Sequence, residues 1–532
     1  MKDVDVLIIG GGASAAAFAW SLADTKMKIL CLEQGDWVDH GNYPAMSSDF
    51  ELRDDFSFDP NIRKSSADYP VNNEDSDIAA ANFNGVGGGT ILYAAHFPRL
   101  HPSDFRVRTL DGVAEDWPID YETLTPFYEL NDRMMGVSGL AGDPAYPPKQ
   151  APMPPIPLGK SGSALARAYN KLGWHWWPAD CAINTTEYEG RDKCINIGLC
   201  GSGCAQGAKG SVDVTYWPEA IRQGVHLKTN CRVQEVTVGP DGMATGVIYF
   251  DANGNTHRQS AQMVVVACNG IGTPRLLLNS KSSLFPDGLA NRSGLVGKNL
   301  MFHPYATVEA RFKDALDGSR GPLKGIQSHE FYETDTARGF VRGFSIEMHR
   351  GHGPLTTAMI GLLTGRLPMG TNHHEAYSQL ADRIMAVAAV CEDLPEESNF
   401  VSLDGSLTDG NGIPAPKINY KLGENSRKIL GFAEARGREL FEAAGAEEII
   451  RTQSPMPMAG WHNLGTARMG TDPEKSVVNE WGRSHDVKNL FVIDGSLFVT
   501  SGGVNPTSTI QALSLYIADS IKTRLSNASL FD

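Results

Sequence analysis

The chain has 532 residues, 41% of them hydrophobic, enough to build a large core and too many for a disordered or low-complexity protein. Its 62 acidic against 47 basic side chains give a net charge of −15, which disfavours nucleic acid and anionic membrane as partners. No run reaches the ~18 apolar residues of a membrane span, and no basic segment followed by a long apolar stretch precedes Val4, so no direct membrane insertion and a cytoplasmic location are expected. Export with a signal-bearing partner is the alternative.

Val4 to Ile9 reads as a short buried strand, followed at once by Gly10-Gly11-Gly12-Ala13-Ser14-Ala15 and a small-residue helix to Leu22. This is a strand–turn–helix suited to a dinucleotide: Gly10 makes the turn, Gly12 admits a pyrophosphate, and Ala15 packs helix on strand. A second strand, Lys28 to Leu32, ends at Glu33, 23 residues beyond Gly10, where an acid accepts hydrogen bonds from an adenosine ribose. Asn84 to Thr90 is another glycine-rich block, running on through His96 to Arg99. The Pro-rich Tyr146 to Pro157 reads as an extended connector or a surface loop.

Cys194, Cys200 and Cys204 cluster in front of Gly207-Ala208-Lys209. Lys228 to Val236 is β-like, and Cys268 to Leu277 opens with another glycine-rich turn. Farther on, Ser398 to Leu403 and Pro416 to Tyr420 read as strands around a turn at Asp404-Gly405, and Ser426 to Ala444 as a helix. Near the C-terminus His462 lies in Gly460-Trp461-His462-Asn463-Leu464-Gly465-Thr466, ahead of a buried parallel strand, Leu490 to Ile493, that ends in Asp494-Gly495. Asn505 opens a helix to about Ile521, with Pro506 tolerated in its first turn.

With both ends read, the chain resembles the glucose–methanol–choline (GMC) family of FAD-dependent oxidoreductases over nearly its full length, closest to bacterial sugar, polyol and glycoside dehydrogenases. The two terminal blocks, Asn84 to Arg99, Cys268 to Leu277, and Asp116-Trp117-Pro118-Ile119 with Tyr121, Leu124, Phe127 and Tyr128 carry the likeness. It implies an α/β fold: a Rossmann-like FAD-binding domain, with a discontinuous substrate-binding cap built on a β-sheet with helices. The implied segments are 1–155, 195–305 and 455–532 for FAD, and 156–194 and 306–454 for the substrate. The resemblance implies cofactor contact at Gly10, Gly12, Ala13, Ser14, Glu33, Gly87, Gly88, Thr90, Asp494, Gly495, Asn505, Pro506 and Thr507, with the Val233 backbone meeting the adenine. The return of the chain to the nucleotide domain, ending a strand in Asp494-Gly495, suits a long cofactor such as FAD better than NAD. Family members with covalent flavin place a histidine where this chain has Leu92, so FAD is expected to be noncovalent.

Alcohol oxidation needs a base for the hydroxyl proton and a stabiliser for the oxygen while hydride moves to flavin N5; His462 and Asn505 fill those roles. His96 lines the flavin or has a structural role. The donor implied is a sugar, glycoside or polyol, with electrons passed to an acceptor other than NAD, such as a cytochrome subunit. Alternatives are an O2-using oxidase of an aromatic or other small alcohol, or a non-redox flavin-bound lyase. Cys194, Cys200 and Cys204 are either ligands of a [3Fe–4S] cluster, for which soft thiolates are suited, or a structural thiol-rich loop.

Overall fold

The computed structural model describes residues 3–47, 49–53, 57–59, 61, 65, 67–198 and 200–526. Its organising layer is a seven-stranded sheet running His226–Lys228, Ile29–Leu32, Asp3–Ile9, Thr256–Val266, Ala244–Phe250 and Arg232–Val238, with Leu490–Val492 also paired to Thr256–Val266. The long strand Thr256–Val266 serves three partners, one of them Asp3–Ile9, which pairs parallel with it from Ser260 to Val266. Its first half pairs antiparallel with Ala244–Phe250, and its last three residues pair parallel with Leu490–Val492.

Val6 to Ile9, Ile29 to Leu32 and Met263 to Val266 are buried, as expected of parallel strands covered on both faces. The helix Ala13–Leu22, rich in alanine, packs against Thr507–Ser526. Register then decides where the ends fall: Ile9 is level with Leu32 and with Val266, and Val492 is level with Val266. Gly10, Glu33, Ala267 and Ile493 therefore emerge together at one carboxyl edge, where open α/β sheets bind their ligands.

A second, six-stranded antiparallel sheet runs Glu448–Gln453, Tyr305–Arg311, Ile384–Cys391, Phe344–His349, Ile326–Ser328 and Trp177–Pro178. Helix Glu424–Ala444 covers it and packs on helix Gly159–Leu172. A three-stranded sheet joins Phe400–Thr408 and Pro414–Tyr420 to Asn72–Ser76. The expected turn at Asp404-Gly405 lies instead inside a strand. Asp404 does bend the chain, its Oδ1 accepting from the Ser406 and Leu407 N–H groups, but as an irregularity between Leu403 and Thr408. The reversal comes at Asp409, whose Oδ1 accepts from the N–H groups of Asn411 and Ile413. Among the described residues no helix is long and apolar enough to cross a membrane.

Candidate active site

The carboxyl edge opens into an elongated cavity that holds, mouth included, about 1390 Å³ of empty space. Of the expected cofactor residues, Gly10, Gly12, Ala13, Ser14, Glu33, Gly88, Thr90, Val233, Asp494, Gly495, Pro506 and Thr507 line it, while Gly87 and Asn505 do not. Gly87 ties the two glycine loops together, its N–H donating to the Gly11 carbonyl at 3.0 Å. Beside it Gly88 has φ +52°, and a Cβ there would sit 3.0 Å from the Gly12 Cα, so the loops meet glycine to glycine.

The two acids brace this wall. Glu33 accepts from Gly11 N at 2.6 Å and Gly35 N at 2.7 Å. Asp494 accepts from Asn269 N, Thr273 Oγ1, Ser496 N and Ser496 Oγ, which clamps the start of helix Asn269–Asn279 onto the strand end. Burial raises its carboxyl above the ordinary value despite these donors.

Three polar atoms on the cavity wall, Asn82 Nδ2, Asn84 Nδ2 and Asn463 Oδ1, are buried with no partner among the described residues. Buried orphans of this kind call for a ligand that supplies the missing donors and acceptors. Helix Ala13–Leu22 adds uncapped N–H groups, since Gly12 offers no side-chain cap. A long cofactor with phosphates, hydroxyls and a polar ring fits this wall, and FAD is such a molecule.

His462 stands at the end of the cavity beside Trp461. Its position follows from an antiparallel bridge between Met301 and Leu464, which makes His303 and His462 the next facing pair. Their Nδ1 atoms lie 2.9 Å apart. His303 Nε2 faces the carbonyl oxygens of Gly502 at 2.8 Å and Ser501 at 3.2 Å, so it must carry the proton. Burial holds His303 neutral, with its pKa down to about 4, and its Nδ1 is therefore an acceptor. His462 must then donate from Nδ1. Its own pKa is held well below the ordinary 6.5, by burial first and by His303 next, so its Nε2 is left as a lone pair.

Asn505 is fixed by a second network. Glu347, on strand Phe344–His349, would be raised by burial, but Lys324, His349 and His96 overcompensate and hold it well below the ordinary value. His96 Nδ1, 2.8 Å from this carboxylate, must donate, and the Asn505 oxygen at 2.8 Å shares that proton. The amide nitrogen of Asn505 consequently points the other way, to the Tyr305 hydroxyl at 3.4 Å. His96 is buried behind Asn505, with its Nε2 on Gln327 at 2.7 Å, and does not line the cavity.

His303, Tyr305, Glu347 and Asn82 carry no motif that singled them out, the bridge bringing in His303 and the cap sheet Tyr305 and Glu347, while Asn84 opens a glycine-rich block already read but drew no notice as a side chain. Asn463 lay unremarked beside His462 in a motif already read. The cysteines take the opposite course. Among the described residues no group of three His, Cys, Asp or Glu side chains is placed to hold a metal ion, so the expectation of a [3Fe–4S] ligand set at Cys194, Cys200 and Cys204 is not met. Cys194 and Cys200 pack against the core as half-buried apolar groups, and burial pushes the Cys200 thiol up to about 11. The Cys194 sulfur accepts from Asn196 N, and the Cys200 carbonyl takes the buried Lys209 ammonium at 2.7 Å. These contacts fit the thiol-rich structural loop.

Family models described as GMC oxidoreductase match residues 151–305 and 395–514. The chain is 42% identical to a 2-methyl-1,2-propanediol dehydrogenase of Mycolicibacterium austroafricanum, over 99% of this chain and 96% of that one. It is 30% identical to a fructose dehydrogenase large subunit of Gluconobacter japonicus, over 98% of each. Among solved structures, pyridoxine 4-oxidase from Mesorbium loti superposes with a TM-score of 0.68 at 17% identity, covering 98% of this chain and 99% of that one, a likeness of fold.

Proposed function

The chain belongs to the GMC oxidoreductases, FAD-dependent enzymes that oxidise a CH–OH group, and from that premise we propose that it oxidises a small alcohol with His462 as the base. The observation that carries the reading is the His303–His462 contact, which leaves His462 Nε2 as an unprotonated acceptor on the cavity. FAD, when bound, supplies the acceptor for the hydride that leaves the carbinol carbon. The chain does the rest: His462 Nε2 takes the hydroxyl proton, and an Asn505 amide N–H donates to the oxygen as negative charge grows there. Gly10, Gly12, Ala13, Ser14, Gly88, Thr90, Val233, Pro506 and Thr507 hold the cofactor along the wall, with Glu33, Gly87, Asp494 and Gly495 shaping it.

The donor reading shifts from the carbohydrate to the small-alcohol alternative, because the relative at 42% identity is named for a small branched diol. Electrons leave to an acceptor other than NAD. A cytochrome subunit is one form of acceptor, as the relative named a large subunit is by that name part of an assembly. The division into a discontinuous FAD domain and a cap is supported by the two main sheets: the strands of the seven-stranded sheet all lie within 1–155, 195–305 and 455–532, and those of the six-stranded sheet lie within 156–194 and 306–454, apart from Tyr305 at the boundary.

Anaerobic reduction of the bound flavin across an alcohol panel, with a dye and O2 as competing acceptors, tests this. Small alcohols should bleach the flavin, and His462→Ala should slow that step by about 100-fold with FAD retained. Unchanged reduction in His462→Ala removes the base, and a flavin that no alcohol reduces removes the reaction.

A further inference from the structure

Tyr305 opens the strand Tyr305–Arg311 and is 2% exposed. Its hydroxyl oxygen receives two N–H groups: Trp461 Nε1 at 3.5 Å and Asn505 Nδ2 at 3.4 Å. The direction of the second is settled, since ionised Glu347 makes His96 Nδ1 a donor and so turns the Asn505 oxygen toward His96. A phenol has two lone pairs and one proton. Both lone pairs are taken, and no acceptor for the proton exists among the described residues. A buried O–H without an acceptor is costly, and it stands beside Trp461 and His462, which both line the cavity.

Asn505 likewise has one amide proton left over, because the other goes to Tyr305. Two free protons thus leave one Nδ2···O pair. The amide proton departs at about 120° to that axis, and the phenol proton at about the tetrahedral angle, so the two lines diverge and reach two acceptor atoms rather than one. We infer that Tyr305 is a specificity-determining residue whose hydroxyl donates to a second oxygen of the substrate, close to the hydroxyl that His462 and Asn505 engage, so that the enzyme selects diols over the matching mono-alcohols. This rests on the reading of His462 and Asn505 as the reacting pair. Trp461 sets the direction, since its N–H fills the lone pair through which Tyr305 would otherwise accept from the substrate.

Flavin reduction by 1,2-propanediol and by 1-propanol, in the holoenzyme and in Tyr305→Phe, tests the assignment. The wild type should favour the diol in kcat/KM by roughly tenfold or more, the worth of one well-placed hydrogen bond, and Tyr305→Phe should bring the ratio of the diol constant to the 1-propanol constant down to about one, whatever the loss of the Asn505 contact does to both constants together. Equal constants for the two alcohols in the wild type overturn the inference and spare the base mechanism, as does a Tyr305→Phe enzyme that keeps the full preference. Should Tyr305→Phe lose its flavin absorbance, the wild-type comparison decides alone. Failure of every alcohol to reduce the wild-type flavin overturns this inference together with the reading beneath it.

Discussion

His303 is wholly buried, and both its ring nitrogens are committed: one donates to backbone carbonyls, the other accepts from His462. With His462 as the proposed base, His303 would act through it as a positioning residue rather than on substrate. His303→Ala should lower the flavin-reduction rate roughly tenfold to 100-fold, because His462 would lose the partner that selects its tautomer. His303→Asn should restore much of that rate, since an amide oxygen can stand where Nδ1 accepts. The pH profile separates this from simple damage. His462 is held well below 6.5 by burial and by His303, so it is a free base at neutral pH and kcat/KM should fall only on the acid side of 6.5. With His303 removed, that acid limb should move to higher pH. An unmoved limb in His303→Ala, measured from pH 4 to 9, would count against the coupling.

At the scale of elements, the nucleotide wall depends on turns that only glycine makes without strain. Gly10 has φ +96°, and a Cβ on it would lie 2.5 Å from the Ala267 carbonyl oxygen. Gly10→Ala must therefore strain the turn or push apart strands Asp3–Ile9 and Thr256–Val266, at a cost of about 1–3 kcal/mol for the backbone conformation alone. A lower Tm and loss of bound FAD should result, both read by following flavin fluorescence during a thermal scan. Gly12 gives a contrast within the same loop. Its φ is ordinary, and the only atom a Cβ would meet is the Gly88 Cα at 4.0 Å, so Gly12→Ala should disturb the fold less than it disturbs the approach of a ligand.

For the whole molecule, the first test is how the cofactor is held. Leu92 is buried in a small apolar cluster with Tyr43, Phe83 and Ile91 and has no nucleophile to offer, so acid precipitation should release all yellow colour into the supernatant. Colour retained on the washed polypeptide would refute noncovalent binding. The second test is the thiol loop. Protein purified anaerobically from cells competent in cluster assembly should be free of iron, and Cys200→Ser should keep its flavin-reduction rate. About three iron atoms per chain would instead restore the cluster.

The local signals in this chain were strong where one segment does one job. The strand and glycine turn at Val4 to Ala15, the strand ending in Asp494, and the helix from Thr507 are each set by periodicity and by residues with narrow conformational choices, and these are legible without a structure. His462 was legible because it lies in a motif. The site around it was not, since its parts come from strands paired across more than a hundred residues. His303 reaches His462 through a bridge between Met301 and Leu464, and Glu347 reaches Asn505 only through His96. No spacing encodes such pairings. Composition could not decide the cysteines either, for a short interval of three thiols is the same string whether they converge on a metal or pack against the core. Sequence by itself determined the nucleotide-binding layer, because hydrogen-bonded turns and buried strands are local. Tertiary structure alone decided which proton each histidine carries and which way the Asn505 amide points, because those depend on neighbours brought in by long-range sheet register.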